Sequence, residues 1–267
     1  MPIVQFLITL IVGFAGGGLF ALLHFPAPWL AGSMVAGSAA IACRVKLHIP
    51  ELARLAAFVV LGVQIGTTVT WDTLAGAVHW PLSMAMLAVS LVLMTAASYV
   101  FYRRARQWSA ADSFFASLPG ALNLVMALAQ SANADMRRVI MAQSIRMFFL
   151  VAALPLILEF LAPARPSLIN AAIGVWWEIL LVLASGTAVA FVLERLKVPA
   201  GIFVGSIGAS ATLYLAGLAH GILPSPLLML ANVVMGIAMA SRFQGFSFAE
   251  LKRCLADGLS GFLVALV

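Results

Sequence analysis

Apolar residues run along this chain in long blocks separated by short polar segments, without the sustained alternation of an amphipathic strand. A helix that crosses the hydrocarbon core of a bilayer needs about 20 apolar residues, within a range of about 17–25. By that criterion the blocks predict eight membrane spans and the start of a ninth near residue 254. The eight cover roughly residues 3–23, 27–43, 55–70, 79–102, 138–162, 174–193, 200–219 and 226–241.

The composition strengthens this interpretation. Of the 267 residues, 64% are hydrophobic and only 9% are charged, and the mean hydropathy is +1.10. Ordinary globular domains contain about 25% charged residues, so a soluble protein of this length could not bury so much apolar surface. The first ten residues contain neither a basic segment nor a small-residue cleavage site, which indicates a first span instead of a signal peptide. We therefore predict an all-α integral membrane protein.

The segment 109–132 departs from the pattern of simple spans. It begins with a capping-box sequence from Ser109 to Asp112. It is then interrupted by Pro119-Gly120, where a helix cannot continue without losing a backbone hydrogen bond. Because each half is too short to cross a bilayer, the segment is either one broken span or a re-entrant hairpin.

The distribution of Lys and Arg favours the re-entrant hairpin. If 109–132 does not cross, thirteen of the 15 basic residues lie on the N-terminal side of the membrane, Arg165 lies on the other side, and Arg146 lies within a span. If it does cross, the split becomes seven against seven. Cytoplasmic loops carry the excess of Lys and Arg, so the first arrangement is preferred. It places the N-terminus in the cytoplasm.

Two parts of the chain resemble each other. Residues 24–33 (HFPAPWLAGS) match residues 197–206 (KVPAGIFVGS) at an offset of 173, and residues 59–63 match residues 233–237 at an offset of 174. Five predicted crossings separate the starts of the two units, and an odd number gives them opposite orientations. Inverted-topology repeats with broken helices are typical of secondary transporters, although a repeat can also be only a way of building the fold.

The repeat predicts the domain organisation. The first membrane repeat covers 1–162, with five spans and the re-entrant segment, and the second covers 174–267. The second repeat is shorter, because the apolar residues from Cys254 to Val267 are too few for a crossing. We expect the native gene to continue past Val267 with another Pro-Gly break and an arginine-bearing span.

Arg146 is the most informative single residue. It lies about nine residues, or roughly 13 Å, into the fifth span, where a charge is costly and usually functional. Gln143 lies on the same helix face, and a helix resuming after Pro119-Gly120 would present free N–H groups to an anion. These four residues, with Ser117 and Asn123, form the predicted solute site. The alternative is that Arg146 only ties the carbonyls of the broken segment.

Other patterns exclude several kinds of chemistry. The two cysteines, Cys43 and Cys254, and the four histidines do not have the spacing of a metal site, and we expect no cofactor. The glycines at 13 and 16–18 lie within an apolar span, where close helix packing explains them better than phosphate binding. The chain contains neither GxSxG nor a Walker A sequence, and we expect no enzymatic activity.

Asp135 is placed to pair with Arg138.

Taken together, four sequence features resemble the AbrB membrane protein family of Gram-negative bacteria. They are the segment from Pro26 to Ser33, Ser117-Leu-Pro-Gly120, Asn133-Ala-Asp135 and Gln143-Ser-Ile-Arg146. Some members of that family carry the label ammonia monooxygenase and others a regulatory label. The regulatory label implies an effect on gene expression. The family usually has a second Pro-Gly segment and a second such arginine, which this chain lacks.

The leading hypothesis from the sequence is a secondary transporter of a small anionic or polar solute in the bacterial inner membrane. The alternative is a membrane sensor that affects gene expression indirectly. The expected partners are the lipid bilayer, a small anionic solute and a second copy of the chain in a homo-oligomer. The net charge of +6 is spread over short clusters, so direct binding of nucleic acid is not expected.

Overall fold

The computed structural model describes residues 2–76, 80–119, 122–161 and 174–244, and these residues form eleven α-helices without a strand. The helices are α1 (Pro2–Leu22), α2 (Pro28–Ala42), α3 (Glu51–Gly66), α4 (Trp71–Gly76), α5 (Trp80–Val100), α6 (Ala110–Ser117), α7 (Leu122–Ser131), α8 (Met136–Leu161), α9 (Trp176–Arg195), α10 (Gly201–Leu215) and α11 (Ser225–Ala240). The predicted all-α class is confirmed.

Each of the eight predicted spans corresponds to one helix. Among the described residues, four segments are long and apolar enough to cross a bilayer: Val4–Leu22, Trp80–Ala105, Trp176–Arg195 and Ser225–Phe243. Helices α2 and α10 are apolar but only 15 residues long. The chain is a multi-pass membrane protein, whereas eight crossings remain a prediction. The ninth span and the loop 163–173 lie outside the described residues.

By their internal contacts, the residues divide into two compact units. The first combines residues 1–78 with 156–241, and the second combines residues 79–155 with 242–267. This division follows packing and not sequence similarity, so it does not test the predicted repeats at 1–162 and 174–267. Those boundaries stay a prediction.

The helices of the first unit make reciprocal contacts. Helix α1 packs on α2 as α9 packs on α10, and α2 crosses α11 as α3 crosses α10. Both crossings are close because a glycine of one helix meets a serine of the other: Gly62 faces Ser206, and Gly236 faces Ser33. Small residues allow such close backbone approach between membrane helices. The same two residue types therefore serve both crossings, with their roles exchanged between the two parts of the chain.

The turns that connect these helices also correspond. His24 after α1 and Lys197 after α9 have φ angles of 54° and 56°. In each turn the next N–H donates to a carbonyl five residues back, Phe25 to Phe20 at 2.9 Å and Val198 to Leu193 at 3.1 Å. This is the Schellman pattern that ends a helix.

The second unit contains α5 to α7 and most of α8. Helix α5 continues into a π-helical turn, Phe101–Ala105. A cluster of buried apolar side chains joins α6, α7 and the start of α8: Phe115, Val125, Ala129, Ala134 and Val139. This cluster holds the interrupted segment against α8 and so positions the candidate site.

Candidate functional site at the helical hairpin

The two ends of the interrupted segment lie together beside the start of α8. Asp112, near the start of α6, is buried and accepts a hydrogen bond from the backbone N–H of Asp135 at 2.8 Å. Its other oxygen accepts from Nη1 of Arg138 at 3.2 Å. The chain thus runs outward along α6 and back along α7, so that α8 starts beside the start of α6.

The lengths of the two hairpin helices agree with this path. Helix α6 has 8 residues and α7 has 10, which correspond to about 12 Å and 15 Å at 1.5 Å per residue. Neither helix approaches the hydrocarbon thickness of about 30 Å. The geometry favours the re-entrant hairpin over one broken span.

The tip of the hairpin begins where α6 ends. Leu118 is extended, with φ −61° and ψ 125°, as expected for a residue before proline. In a continuous helix the carbonyl of Phe115 would accept from the N–H of residue 119, but Pro119 has none. The side-chain Nε2 of Gln143 on α8 donates to this carbonyl instead, at 3.0 Å.

Arg146, one helical turn further along α8, completes the cap. Its Nη1 donates to the carbonyl of Ser117 and its Nη2 to the carbonyl of Leu118, both at 3.1 Å. The C-terminal end of a helix carries partial negative charge, which the guanidinium stabilises. Arg146 is ten residues after Met136, the first residue of α8, which puts it about 15 Å from that end of the helix.

The structure therefore brings Arg146, Gln143 and Ser117 together, with Pro119 next in the chain. Gly120 and the side chain of Asn123 lie outside the described residues. The cap uses two of the five donors of the guanidinium. The remaining N–H groups can serve a second acceptor, and α7 begins just beyond the break, at Leu122. The solute-binding role of these six residues stays a prediction.

Three polar residues of this region were missing from the predicted solute site. Asp112 closes the base of the hairpin, and the hydroxyl groups of Ser113 and Ser144 are buried without a hydrogen-bond partner in the described part of the chain. Ser113 lies one turn before Ser117 on α6, so the two serines share a helix face. The spacing of four residues between Ser113 and Ser117 is visible in the sequence and indicates a shared polar face on one helix.

The base of the hairpin contains the predicted pair of Asp135 and Arg138. Their Oδ2 and Nε atoms are 3.3 Å apart, so this prediction is confirmed. The Arg138 guanidinium also lies 5.6 Å from the ring centroid of Trp108. Asp135 in addition accepts from the N–H of Arg137 at 3.0 Å, as an N-cap residue does. Arg138 therefore links both ends of the hairpin to the turn before α6.

Within the described residues, His, Cys, Asp and Glu side chains do not gather into groups of three that could hold a metal ion. Cys43 is exposed and unpaired, and Cys254 lies outside the described part.

The family model described as "Transition state regulatory protein AbrB" matches residues 29–267, which include the whole hairpin and Arg146. The chain belongs to the AbrB family. Among AbrB relatives, the Escherichia coli (strain K12) protein named "Putative regulator AbrB" is 28% identical over 88% of this chain and 69% of its own length. The Bacillus subtilis (strain 168) protein named "Uncharacterized protein YhjN" is 23% identical over 91% of this chain and 70% of its own. No solved structure matches the chain significantly.

Proposed function

We propose that this AbrB-family protein is a secondary transporter of a small anionic or polar solute, which binds at the tip of the α6–α7 hairpin. The observation that carries the proposal is the position of Arg146. Arg146 lies about 15 Å along α8, and its guanidinium contacts the end of the interrupted helix α6. Charged side chains within a membrane usually mark a solute or ion pathway.

The chemistry of the tip supports an anionic solute. The guanidinium has N–H groups beyond the two that cap α6. The start of α7 after the break adds the backbone N–H groups and the positive dipole end that a helix presents at its N-terminus. The buried hydroxyl of Ser113 on α6 has no partner among the described residues. A buried unpaired hydroxyl is costly unless something binds it, so a polar solute beside α6 would satisfy it.

The reciprocal packing of the first unit supports a transporter architecture. In our proposal α1–α3 and α9–α11 are the cores of two inverted-topology repeats, related by exchange of the Gly62–Ser206 and Gly236–Ser33 contacts. Two such repeats give a protein two alternative arrangements around one site. The charge distribution then orients the protein in the bacterial inner membrane with a cytoplasmic N-terminus.

A second candidate function comes from the names of the family and of its E. coli member. The matching model is described as a regulatory protein and the E. coli relative as a regulator. Under this alternative, the same hairpin would bind a solute as a sensor and affect gene expression indirectly, through a partner. Neither candidate involves enzymatic catalysis.

Counterflow into proteoliposomes tests transport. Purified protein in vesicles preloaded with one carboxylate should accumulate the same labelled carboxylate from outside, for at least one member of a panel of small carboxylates. Arg146→Gln should abolish the uptake. Arg195→Gln should not, because that exposed arginine contacts Phe191 at the end of α9 and lies in the other unit. Absence of counterflow and of solute binding across the panel, with a transcriptional phenotype on deletion, would favour the sensor.

Labelling of single cysteines tests the inverted orientation. Cysteines introduced at positions 104 and 165 should react with an impermeant reagent from opposite faces of the membrane. Position 165 lies outside the described residues, and its side follows from the predicted topology. Labelling of both positions from the same face would contradict the inverted repeats.

A further inference from the structure

A groove runs along the last two turns of α5 and the π-helical turn that follows it. The groove has a volume of about 580 Å³ and is lined by Leu93, Ala96, Ala97, Val100, Phe101, Arg104 and Ala105. Its floor is made of small side chains, and every lining group except Arg104 is apolar. The other residues that the structure describes do not cover this part of α5: Val92 is 68% exposed and Leu93 is 64% exposed. This side of α5 therefore presents an exposed apolar groove.

A second, polar groove adjoins the first at its arginine end. It has a volume of about 500 Å³, and its lining is Tyr99, Val100, Arg103, Arg104 and Gln107. Val100 and Arg104 line both grooves, so the two form one continuous feature. It runs from an apolar part along the helix to a polar part at the helix end.

The charges at this end are all positive. Arg103, Arg104 and Arg106 are exposed, and the sequence has no acidic residue between Asp72 and Asp112. Arg103 donates from Nη1 to the carbonyl of Trp108 at 2.8 Å. Arg104 has no hydrogen-bond or ion-pair partner among the described residues. Its full charge is therefore available to an external anion at the point where the apolar groove ends.

The arginines lie on a π-helical turn and directly after it. Residues Phe101–Ala105 form a wider turn than an α-helix, which changes the register of the side chains that follow. Tyr99, on the preceding turn, has a phenol without a hydrogen-bond partner in the described part of the chain. Tyrosines at helix ends commonly lie at the level of lipid headgroups.

We propose that this groove is a binding site for an anionic phospholipid. An acyl chain lies along Leu93, Ala96 and Val100, and the phosphate accepts hydrogen bonds from Arg104 and from the Tyr99 phenol. Basic pockets beside membrane helices bind anionic headgroups in this way. The site is separate from Arg146 and does not depend on solute transport. A soluble phosphate compound would not need the apolar groove. The test therefore includes a variant in which a larger side chain fills this groove.

The test measures lipid preference at equilibrium. Protein is reconstituted in phosphatidylcholine with spin-labelled phosphatidylglycerol or phosphatidylcholine, and the motionally restricted fraction gives their relative association constant. Arg104→Gln should lower the preference for phosphatidylglycerol about fivefold, since one surface arginine contributes about 1 kcal/mol. Arg195→Gln is the matched control, because Arg195 is also an exposed arginine at the end of a candidate span, where it lies 4.6 Å from the Phe191 ring centroid. It should lower the preference by a smaller factor than Arg104→Gln does.

A second variant tests the apolar part without changing charge. Ala96→Leu fills the groove at an exposed position and should lower the preference for phosphatidylglycerol, whereas Ala88→Leu, two turns earlier on the exposed side of α5, should not. Thermal unfolding in phosphatidylcholine checks that all variants fold. The proposal is wrong if Arg104→Gln and Arg195→Gln reduce the preference equally, or if Ala96→Leu has no more effect than Ala88→Leu.

Discussion

The side-chain amide of Gln143 donates a hydrogen bond to the carbonyl oxygen of Phe115, with 3.0 Å between Nε2 and O. This is the carbonyl that a helical residue 119 would have satisfied, and Pro119 cannot. Gln143 is buried, with 3% of its surface exposed, so water is a poor substitute. The interruption of α6 and the glutamine on α8 therefore belong to one structural feature.

Gln143→Leu should destabilise the protein by about 1–3 kcal/mol, because it leaves the buried Phe115 carbonyl unpaired. The loss should be smaller when Pro119 is replaced by alanine, since Leu118 is then free to return to the helical region and residue 119 regains an N–H. A double-mutant cycle of Gln143→Leu and Pro119→Ala, measured by reversible unfolding in micelles, gives the coupling. Strictly additive effects would mean that the glutamine does not replace the missing bond.

Asp112→Asn should destabilise the hairpin by about 1.5–3 kcal/mol, the usual worth of hydrogen bonds to a charged group. Asp112 is 7% exposed at its side chain and accepts from both Asp135 and Arg138. Asp135→Asn is the control, because that side chain is 46% exposed and asparagine keeps the N-cap. It should cost only about 0.2–1 kcal/mol, as exposed ion pairs do. Equal losses in the two variants would contradict a closing role for Asp112.

The helices were predictable because the hydrophobic effect acts on whole blocks of sequence. Predicted spans at 3–23 and 27–43 became α1 (Pro2–Leu22) and α2 (Pro28–Ala42), since an apolar block flanked by a turn has few alternatives in a membrane. The short α4, Trp71–Gly76, was not predicted. One of its contacts is a bond from Nε1 of Trp71 to the carbonyl of Leu215 at 3.0 Å, 144 residues away in the chain, which a local pattern does not show.

The candidate site was predictable only in part. The cost of a charge in the membrane singled out Arg146, and the loss of an N–H singled out Pro119. The sequence left two roles open for the guanidinium, and the structure shows the capping one directly, through the carbonyls of Ser117 and Leu118. Asp112 was read only as part of a capping box, because its pairing with Arg138 depends on the return of α7 to the start of α6.

Gly62→Ala and Gly236→Ala should each destabilise the protein by about 1–3 kcal/mol through overpacking. An added Cβ would overlap the hydroxyl of Ser206 in the first case and that of Ser33 in the second. Gly18→Ala and Gly208→Ala are the controls, because nothing lies within 4 Å of an added Cβ at either position. They should be neutral or slightly stabilising, since alanine favours helix. Thermal unfolding in one detergent compares all four.

Removal of the opposing hydroxyl should rescue the two crossings to different extents. Replacing Ser206 by alanine removes the overlapping hydroxyl and should recover part of the stability lost in Gly62→Ala. Ser33→Ala should recover less of the stability lost in Gly236→Ala, because the added Cβ there also overlaps the backbone carbonyl oxygen of Leu30. Absence of any rescue by Ser206→Ala would contradict the contact between Gly62 and Ser206.

Arg146→Lys separates the capping role from the proposed binding role, because it keeps the charge but loses the planar fork. A single ammonium cannot span the carbonyls of Ser117 and Leu118 as the guanidinium does, so the variant should lose about 1.5–3 kcal/mol of stability without solute. If Arg146 also binds solute, the stabilisation that solute gives the wild-type protein, about 2.7 kcal/mol at a hundred times its Kd, should shrink in the variant. Asp112→Asn is the control: it weakens the base of the same hairpin but keeps all six residues of the predicted solute site, so it should retain the solute-dependent part. Unfolding with and without each carboxylate measures both quantities, and a lysine variant that matches the wild type in both would contradict both roles.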